Sequence, residues 1–455
     1  MAVNPSYLQD ASGYRGQAEE LHTPASASEF AELMVRAGEA GTPVTVWGAG
    51  TGLTGGAVAR GGWILSTEKL DRLEIREATA VAGAGTILKT IHEASGRRGL
   101  FYPPDPTEAT ASIGGTIATN ASGSRSLRYG ATRRWVERLQ VVTMDGRIRE
   151  HRRGEAIDFE APLLPAPDVT KNTAGFRLAP DMDWIDLYVG SEGALGVVTE
   201  AEVRLLPRPR GLLAGVVFLP GQRETVKAVV DWRELQGLRM LEYFDAGALR
   251  LLRNSYSEIP VSANSALLFE QELQQEDEGE IDAWLDRLEA ADADLEGSWF
   301  ASGDRDRERF RVFRHALPES VNAIVRRHGF MKLGSDYGVP IAKNGEMLAH
   351  YRERLEAEFA GRYVIFGHIG DAHVHVNILP SDQAEFDRGQ DLMLELAREV
   401  VRLGGTVSAE HGLGKRKAEL LKIQFTEAEI DAMRAVKKRL DPRMLLSPGN
   451  LFGDE

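Results

Sequence analysis

Three glycine clusters within the first 200 residues constrain the fold more than any other feature of the chain. They are residues 48–56 (GAGTGLTGG), 112–123 (SIGGTIATNASG) and 190–196 (GSEGALG). Glycine allows backbone conformations and close approaches that other residues do not. Consecutive backbone N–H groups in such a loop form a concave site for phosphate. One loop of this kind is often only a tight turn between strands, whereas three indicate a long ligand enclosed by backbone.

The first cluster contains a G-x-G-x-x-G pattern at Gly50, Gly52 and Gly55, which is typical of dinucleotide-binding Rossmann folds. In that fold the pattern must open a helix. Here residues 57–62 (AVARGG) lead into another strand-like run, WILST. The sequence therefore predicts a phosphate-binding loop between strands and does not favour NAD.

Two segments near the C-terminus hold four of the ten histidines, residues 367–377 (GHIGDAHVHVN) and 408–414 (SAEHGLG). Valines alternate with His373, His375 and Asn377, so a strand would place these three polar side chains on one face. Imidazoles beside a carboxylate are typical of a divalent metal site or a general base. The alternative is a solvated polar face, but the density of these groups favours a site.

The composition excludes several classes of function. A net charge of -14 and a pI near 5.4 argue against nucleic acid or an anionic membrane as partner. The chain has no cysteine, which excludes disulfides, thiolate metal sites, Fe–S clusters and thiol nucleophiles within it. No apolar run reaches the length of a membrane span, and the first residues lack a signal-peptide core. We therefore expect a cytoplasmic protein without a membrane span.

The order of the patterns predicts an α+β fold. The 455 residues allow about three domains. Residues 27–40 have the spacing of an amphipathic helix, for which Ser28 is a plausible cap. Short apolar runs continue to about residue 209 without regular alternation of strands and helices. After the boundary at residues 207–211 (PRPRG), long helical patterns alternate with strands, which indicates an antiparallel sheet covered by helices.

Five segments together carry a family resemblance. Residues 43–66, 102–130, 186–207, 366–377 and 406–417 resemble, in order, the FAD-linked D-2-hydroxy-acid dehydrogenases. That family includes D-lactate, D-2-hydroxyglutarate and glycolate dehydrogenase flavoproteins. The resemblance implies a two-part FAD-binding domain of the vanillyl-alcohol-oxidase (PCMH) type and a cap domain built on an antiparallel sheet.

The same resemblance implies the domain bounds and the reaction. We expect an FAD-binding domain over residues 1–209, a substrate-binding cap domain with a metal site over 210–420, and a C-terminal segment over 421–455 that returns to the FAD-binding domain. The expected reaction is oxidation of a small anionic D-2-hydroxy acid, similar to D-lactate or D-2-hydroxyglutarate, to the 2-oxo acid. FAD is expected to be bound non-covalently, beside a divalent metal, Zn or Mn.

Site residues follow from the resemblance position by position. The residues expected to bind FAD are Gly48, Gly50, Thr51, Gly52, Leu53, Gly55, Gly56, Pro104, Asp105, Gly114, Gly115, Thr119, Gly123, Glu192, Gly193, Val198 and Asn450. The expected metal ligands are His368, His375 and Glu410. The expected catalytic base is His411. The expected substrate contacts are Arg314, Lys332 and Asn377.

The sequence leaves several alternatives open. His373 replaces the asparagine usual in the family, and we interpret it as a polar neighbour of the metal, with a fourth ligand or a proton relay as the alternatives. Arg314 lies in a run of charges, DRDRERFR, and could equally be a solvated helix residue. The reduced flavin requires a separate electron acceptor, such as a quinone, an electron-transfer protein or a dye. The resemblance is also compatible with a homodimer.

Two other functions fit the same motifs. In one, the His/Glu cluster belongs to a metal-dependent hydrolase and the glycine loops are structural. In the other, the chain is a flavoprotein of the same fold without net redox chemistry, like the ether-lipid synthases. The first predicts a colourless protein, and the second predicts bound FAD that no 2-hydroxy acid reduces.

Overall fold

The computed structural model describes residues 3–273, 278–301 and 303–453. Its N-terminal half contains short strands and mostly short helices without regular alternation of the two, as the sequence predicts. In chain order the elements are β1 (Glu20–His22), α1 (Ala27–Ala40), β2 (Val44–Trp47), β3 (Trp63–Ser66), β4 (Leu73–Ile75), β5 (Thr79–Gly83), α2 (Leu88–Gly96), β6 (Leu100–Phe101), α3 (Ile113–Ala118), α4 (Ser126–Tyr129), β7 (Val136–Val142), β8 (Ile148–Arg152), α5 (Trp184–Tyr188), β9 (Val197–Arg204) and β10 (Leu206–Pro207).

Eight of these strands form a three-stranded parallel sheet, β1-β3-β2, and a five-stranded antiparallel sheet, β4-β5-β9-β7-β8, while β6 and β10 pair with each other. The first glycine cluster connects β2 directly to β3 without a helix, which confirms that it is not a Rossmann fingerprint. The helix predicted over residues 27–40 is confirmed, but its cap is Ser26 rather than Ser28. The Ser26 hydroxyl accepts a hydrogen bond from the Glu29 N–H at 3.2 Å.

The second half contains longer helices around one large sheet. Its elements are β11 (Gly211–Leu219), α6 (Gln222–Trp232), β12 (Leu238–Asp245), α7 (Ala246–Leu252), β13 (Ser265–Leu273), α8 (Glu278–Ala290), β14 (Trp299–Ala301), α9 (Asp304–His328), β15 (Leu333–Gly334), α10 (Asn344–Phe359), β16 (Tyr363–Gly367), β17 (His375–Ile378), α11 (Gln383–Arg402), α12 (Leu421–Gln424) and α13 (Glu427–Leu440). The sheet order is β14-β11-β13-β12-β16-β17-β15, and each neighbouring pair is antiparallel. The predicted α+β fold with a helix-covered antiparallel sheet is confirmed.

Both faces of this sheet are buried, and successive residues alternate between them. Val216 packs in the core with Phe313 of α9, whereas its neighbour Val217 lies in the core of the opposite face. On β12, Phe244 contacts Phe313 with ring centroids 5.3 Å apart. Glu242 precedes Phe244 by two residues and therefore lies on the same face. The Glu242 carboxylate thus lies beneath α9, on a strand two positions from the histidine-rich strand β17.

The C-terminal residues return to the first part of the chain. The Val44 N–H donates to Leu445 O at 2.8 Å, and the Ser447 N–H donates to Val44 O at 2.6 Å. Contact with the first glycine loop begins earlier, because the Lys415 N–H donates to Thr54 O at 3.0 Å. The domain bounds at 209 and 420 stay predictions. Over the described ranges, no helix combines the length and the apolar character needed to cross a membrane.

Candidate functional site

The three glycine clusters meet along one groove. It is bordered by the loop after β2, the first turns of α3 and the turn before β9, so residues far apart in the sequence form its walls. The predicted FAD-binding residues that line this groove are Gly48, Gly50, Thr51, Gly52, Leu53, Gly56, Gly114, Gly115, Thr119, Gly123, Glu192, Gly193 and Val198.

Glycine is required where the first two clusters meet, because their backbones approach each other closely there. A side chain at Gly48 would place its Cβ 2.7 Å from Ser112 Oγ, and one at Gly115 would lie 3.1 Å from the same atom. Gly50 and Gly193 have φ angles of 69° and 71°, a conformation that glycine adopts without strain. The result is a trough walled by backbone and small side chains, which fits a phosphate-containing ligand.

Four of the predicted FAD-binding residues do not line the groove. Gly55 packs against Tyr14, Pro104 is buried, and Asp105 forms an ion pair with Arg125 at 3.3 Å. Asn450 joins two glycine clusters from behind: its Nδ2 donates to Gly56 O at 3.0 Å and to Glu192 O at 2.9 Å. Asn450 thus connects two walls of the groove. It does not reach the groove surface, although the sequence predicts it to contact FAD.

A cluster of imidazoles and one carboxylate lies where the groove meets the seven-stranded sheet. Glu410 and His411 line the groove. Glu410 Oε1 lies 3.1 Å from His368 Nε2, 3.6 Å from His375 Nε2 and 3.7 Å from His411 Nε2. The structure therefore brings together the three predicted metal ligands and the predicted base.

The ring nitrogens of His368 and His375 that face away from Glu410 contact oxygen atoms. His368 Nδ1 lies 2.5 Å from Glu242 Oε1, and His375 Nδ1 lies 3.1 Å from Ser335 O. Partners of this kind fix the tautomer so that Nε2 can bind a metal. Despite burial, Glu242 and Glu410 raise the pKa of His368 to about 9. The two carboxylates thus favour positive charge at His368.

Arg314 stabilises this arrangement from α9. Its Nε donates to Glu242 Oε2 at 2.9 Å, and its Nη1 donates to Thr107 Oγ1 at 3.1 Å. The side chain is only 14% exposed, so the reading as a solvated surface charge is wrong. Burial alone would raise the pKa of the Glu242 carboxyl, but Arg314 and His368 hold it well below its usual range.

His411 is positioned by Asp336. Its Nδ1 lies 3.3 Å from Asp336 Oδ1, while its backbone N–H donates to Asp336 Oδ2 at 2.8 Å. The contact favours the tautomer with the proton on Nδ1, which leaves Nε2 free to accept one. Burial lowers the pKa of His411 to about 4, against the opposing effect of Asp336 and Glu410. A neutral imidazole that is 24% exposed toward the groove can act as a base.

His373 also belongs to this cluster. It is fully buried, and its Nε2 lies 3.1 Å from Asp336 Oδ1. One ligand atom from each of His368, His373, His375 and Glu410 lies within 4.8 Å of the others. The structure thus groups His373 with the three predicted metal ligands.

The other oxygen of Glu410 is held by groups that the sequence analysis missed. Glu410 Oε2 accepts from Ser122 Oγ at 2.9 Å and from the Gly123 N–H at 3.3 Å. The buried ammonium of Lys171 lies 3.3 Å from the same oxygen and 3.4 Å from Asp371 Oδ2. Ser122 and Gly123 belong to the second glycine cluster, so one segment both lines the groove and orients the carboxylate.

The remaining predicted substrate contacts are Asn377, on β17, and Lys332, directly before β15. Gly334 of β15 pairs with Asn377 of β17. Both side-chain polar atoms of Asn377 are buried without a hydrogen-bond partner among the described residues. A Cβ at Gly334 would lie 3.2 Å from Asn377 Oδ1 and 3.5 Å from Lys332 Cε, so these two side chains are neighbours. Burial and the nearby Lys417 lower the pKa of Lys332 to about 8.

Comparison with known proteins gives two family matches along the chain. Residues 19–152 match the FAD binding domain, and residues 209–451 match the C-terminal domain of FAD linked oxidases. The chain is 32% identical to a D-lactate dehydrogenase of Archaeoglobus fulgidus, over 94% of this chain and 90% of that protein. It is 32% identical to a D-2-hydroxyglutarate dehydrogenase of Xanthomonas citri pv. viticola (94% and 88%) and 30% identical to glycolate oxidase subunit GlcD of Bacillus subtilis (97% and 90%).

Among solved structures, alkyldihydroxyacetonephosphate synthase has the same fold, with a TM-score of 0.66 over 94% of this chain and 76% of that one. The sequence identity is 15%. This likeness concerns the fold alone.

Proposed function

The chain belongs to the FAD-linked oxidase family, and we propose that it is a dehydrogenase that oxidises a small D-2-hydroxy acid to the 2-oxo acid. It is an FAD-linked oxidoreductase. The proposed substrate class is supported by the junction of the groove with the His/Glu cluster. Glu410 and His411 belong to the cluster and also line the groove. Relatives named D-lactate and D-2-hydroxyglutarate dehydrogenase support the same substrate class.

We propose that the groove holds FAD without a covalent bond. Residues 48–56 contain no histidine, tyrosine or cysteine, and the chain has no cysteine at all. Denaturing the purified yellow protein in acid should therefore release the flavin into the supernatant. Flavin absorbance that stays with the pelleted protein would contradict non-covalent binding.

The proposed metal site consists of His368, His375 and Glu410, with Zn or Mn as the ion. Its support is the convergence of two imidazole Nε2 atoms on one carboxylate oxygen. Such an ion, when bound, acts as a Lewis acid that lowers the pKa of a substrate hydroxyl. FAD supplies the hydride acceptor.

The protein groups have separate roles in this proposal. His411 Nε2 takes the hydroxyl proton of the substrate. Asp336 contacts His411 Nδ1 and stabilises the imidazolium that forms. Arg314, Lys332 and Asn377 hold the substrate carboxylate. The unpartnered amide of Asn377 and the partly buried Lys332 fit an anionic ligand.

We expect Glu242→Gln to weaken metal binding by about 10- to 100-fold while FAD stays bound. The amide keeps the volume of the side chain but removes the negative charge that orients His368. Metal affinity, measured by competition with a chelator on the FAD-loaded protein, reports the change. Glu356→Gln is a suitable control, because Glu356 contacts Tyr363 outside the cluster. Equal metal affinity in the Glu242 variant and the wild type would contradict a role of this carboxylate in metal binding.

Turnover with a panel of D- and L-2-hydroxy acids tests the function. We expect a D-isomer to support reduction of an artificial dye faster than peroxide forms in air, because the proposed enzyme is a dehydrogenase with a separate acceptor. A quinone or an electron-transfer protein is the proposed natural acceptor. Dye reduction no faster than peroxide formation would make the protein an oxidase. Bound FAD that no acid in the panel reduces would contradict the proposed substrate class.

The cytoplasmic location and the homodimer remain predictions. Gel filtration with light scattering tests the second, and a monomer at micromolar concentration would contradict it.

A further inference from the structure

His373 is fully buried, and only one of its ring nitrogens has a partner. Its Nε2 lies 3.1 Å from Asp336 Oδ1, whereas its Nδ1 has no hydrogen-bond partner among the described residues. Buried polar atoms in native proteins nearly always have a partner, so an orphaned one indicates a missing ion, water or ligand.

The position of the proton on His373 follows from Asp336. Asp336 accepts hydrogen bonds from the backbone N–H groups of Glu410 and His411 and from Ser408 Oγ, so it is present as an acceptor. The N–H of His373 must therefore be Nε2–H, and Nδ1 carries a lone pair. His375 also has one protonated ring nitrogen and one with a lone pair, but in the opposite arrangement. Its Nδ1–H donates to Ser335 O, and its Nε2 carries the lone pair.

These acceptor atoms converge. The imidazole centroid of His373 lies 4.6 Å from that of His375 and 5.3 Å from that of His368. One ligand atom from each of the three histidines and from Glu410 lies within 4.8 Å of the others. On His373, Nε2 already contacts Asp336, so Nδ1 is the ring nitrogen without a partner among the described residues. Lone pairs and a carboxylate that face one another are stabilised by a cation between them.

We propose that His373 binds the metal through Nδ1, so that three imidazoles and one carboxylate hold the ion. The inference rests on the metal site proposed above and adds a ligand to it. A third imidazole favours borderline ions such as Co²⁺ and Zn²⁺ over Mn²⁺, which prefers oxygen ligands. His373 would thus set which metal the enzyme selects.

The test counts nitrogen ligands. The FAD-loaded protein is stripped of metal and reloaded with Mn²⁺, and pulsed EPR then resolves the histidine nitrogens coupled to the ion. We expect three in the wild type and two in His373→Asn, with Mn²⁺ still bound. The affinity for Co²⁺, measured by chelator competition, should fall at least about tenfold more than the affinity for Mn²⁺, because the asparagine oxygen suits Mn²⁺ better.

His151→Asn is the matched control. His151 is also a buried histidine with an unpartnered Nε2, but it stacks on Trp184, with ring centroids 4.7 Å apart, outside the cluster. This variant should keep three nitrogens and both affinities. If His373→Asn does not fold, the wild-type protein still decides, because a count of two would overturn the inference.

His375→Asn separates this inference from the proposed function. A wild-type protein that shows no nitrogen coupled to Mn²⁺ would contradict the metal site itself. A loss of one nitrogen in His375→Asn with none lost in His373→Asn would leave the metal site intact. In that case His373 would only support Asp336, and the proposal that it is a ligand would be wrong.

Discussion

Replacing His411 with asparagine is expected to slow flavin reduction by the substrate by about 10²- to 10⁴-fold, the usual contribution of a general base. The asparagine amide can still donate toward Asp336, which lies 3.3 Å from the present Nδ1. It removes Nε2, the atom that accepts the proton. Stopped-flow absorbance under anaerobic conditions measures the rate of reduction as a function of substrate concentration.

The expected pattern is a fall in the limiting rate with little change in substrate dissociation, less than about threefold, because the proton moves only in the reactive step. His328→Asn is the control, since His328, the last residue of α9, contacts Pro380 O outside the cluster. A His411 variant that reduces its flavin at the wild-type limiting rate would assign the base to another group.

Replacing His375 with alanine is expected to remove the metal and nearly all activity while FAD remains bound. His375 lies 3.6 Å from Glu410 Oε1, and it does not line the FAD groove. The Lewis-acid contribution of a metal is several kcal/mol, so the rate should fall by roughly 10³-fold. Elemental analysis and the flavin spectrum of the same sample measure metal and FAD per chain.

Chelation of the wild-type protein gives the same result without a mutation. A strong chelator should abolish turnover, and dialysis against Zn²⁺ or Mn²⁺ should restore it, whereas the His375 variant should not respond to added metal. Full activity in a sample with less than about a tenth of a metal ion per chain would contradict the metal site, since an ion bound to each chain is required.

Local patterns predicted much of the fold. The alternation of polar and apolar residues predicted His373, His375 and Asn377 on one strand. The structure forms β17 over the last two, whereas His373 precedes the strand. The helix over residues 27–40 is present, but the cap was misassigned. Ser26 and Glu29 have the S-x-x-E spacing of a capping box, a signal that the sequence analysis overlooked.

The support of the site could not be predicted in the same way. Glu242 lies within β12, surrounded by apolar residues, and contacts His368 only because β12 and β16 are neighbours. Lys171 lies in an irregular segment without a motif and reaches Glu410 through the fold. Such pairings depend on strand order and on loop paths, which one sequence does not specify. Asp336 follows β15 closely, yet no spacing marks it as the partner of His373 and His411.

The most direct test of the proposed function is anaerobic mixing of the FAD-loaded, metal-loaded protein with single enantiomers of 2-hydroxy acids. The visible absorbance of the flavin is followed in the absence of any other acceptor. We expect a D-2-hydroxy acid to bleach the flavin fully, with the 2-oxo acid formed at one equivalent per FAD, while its L-enantiomer leaves the spectrum unchanged. A flavin that stays oxidised with every acid, or that both enantiomers bleach at equal rates, would contradict the proposal.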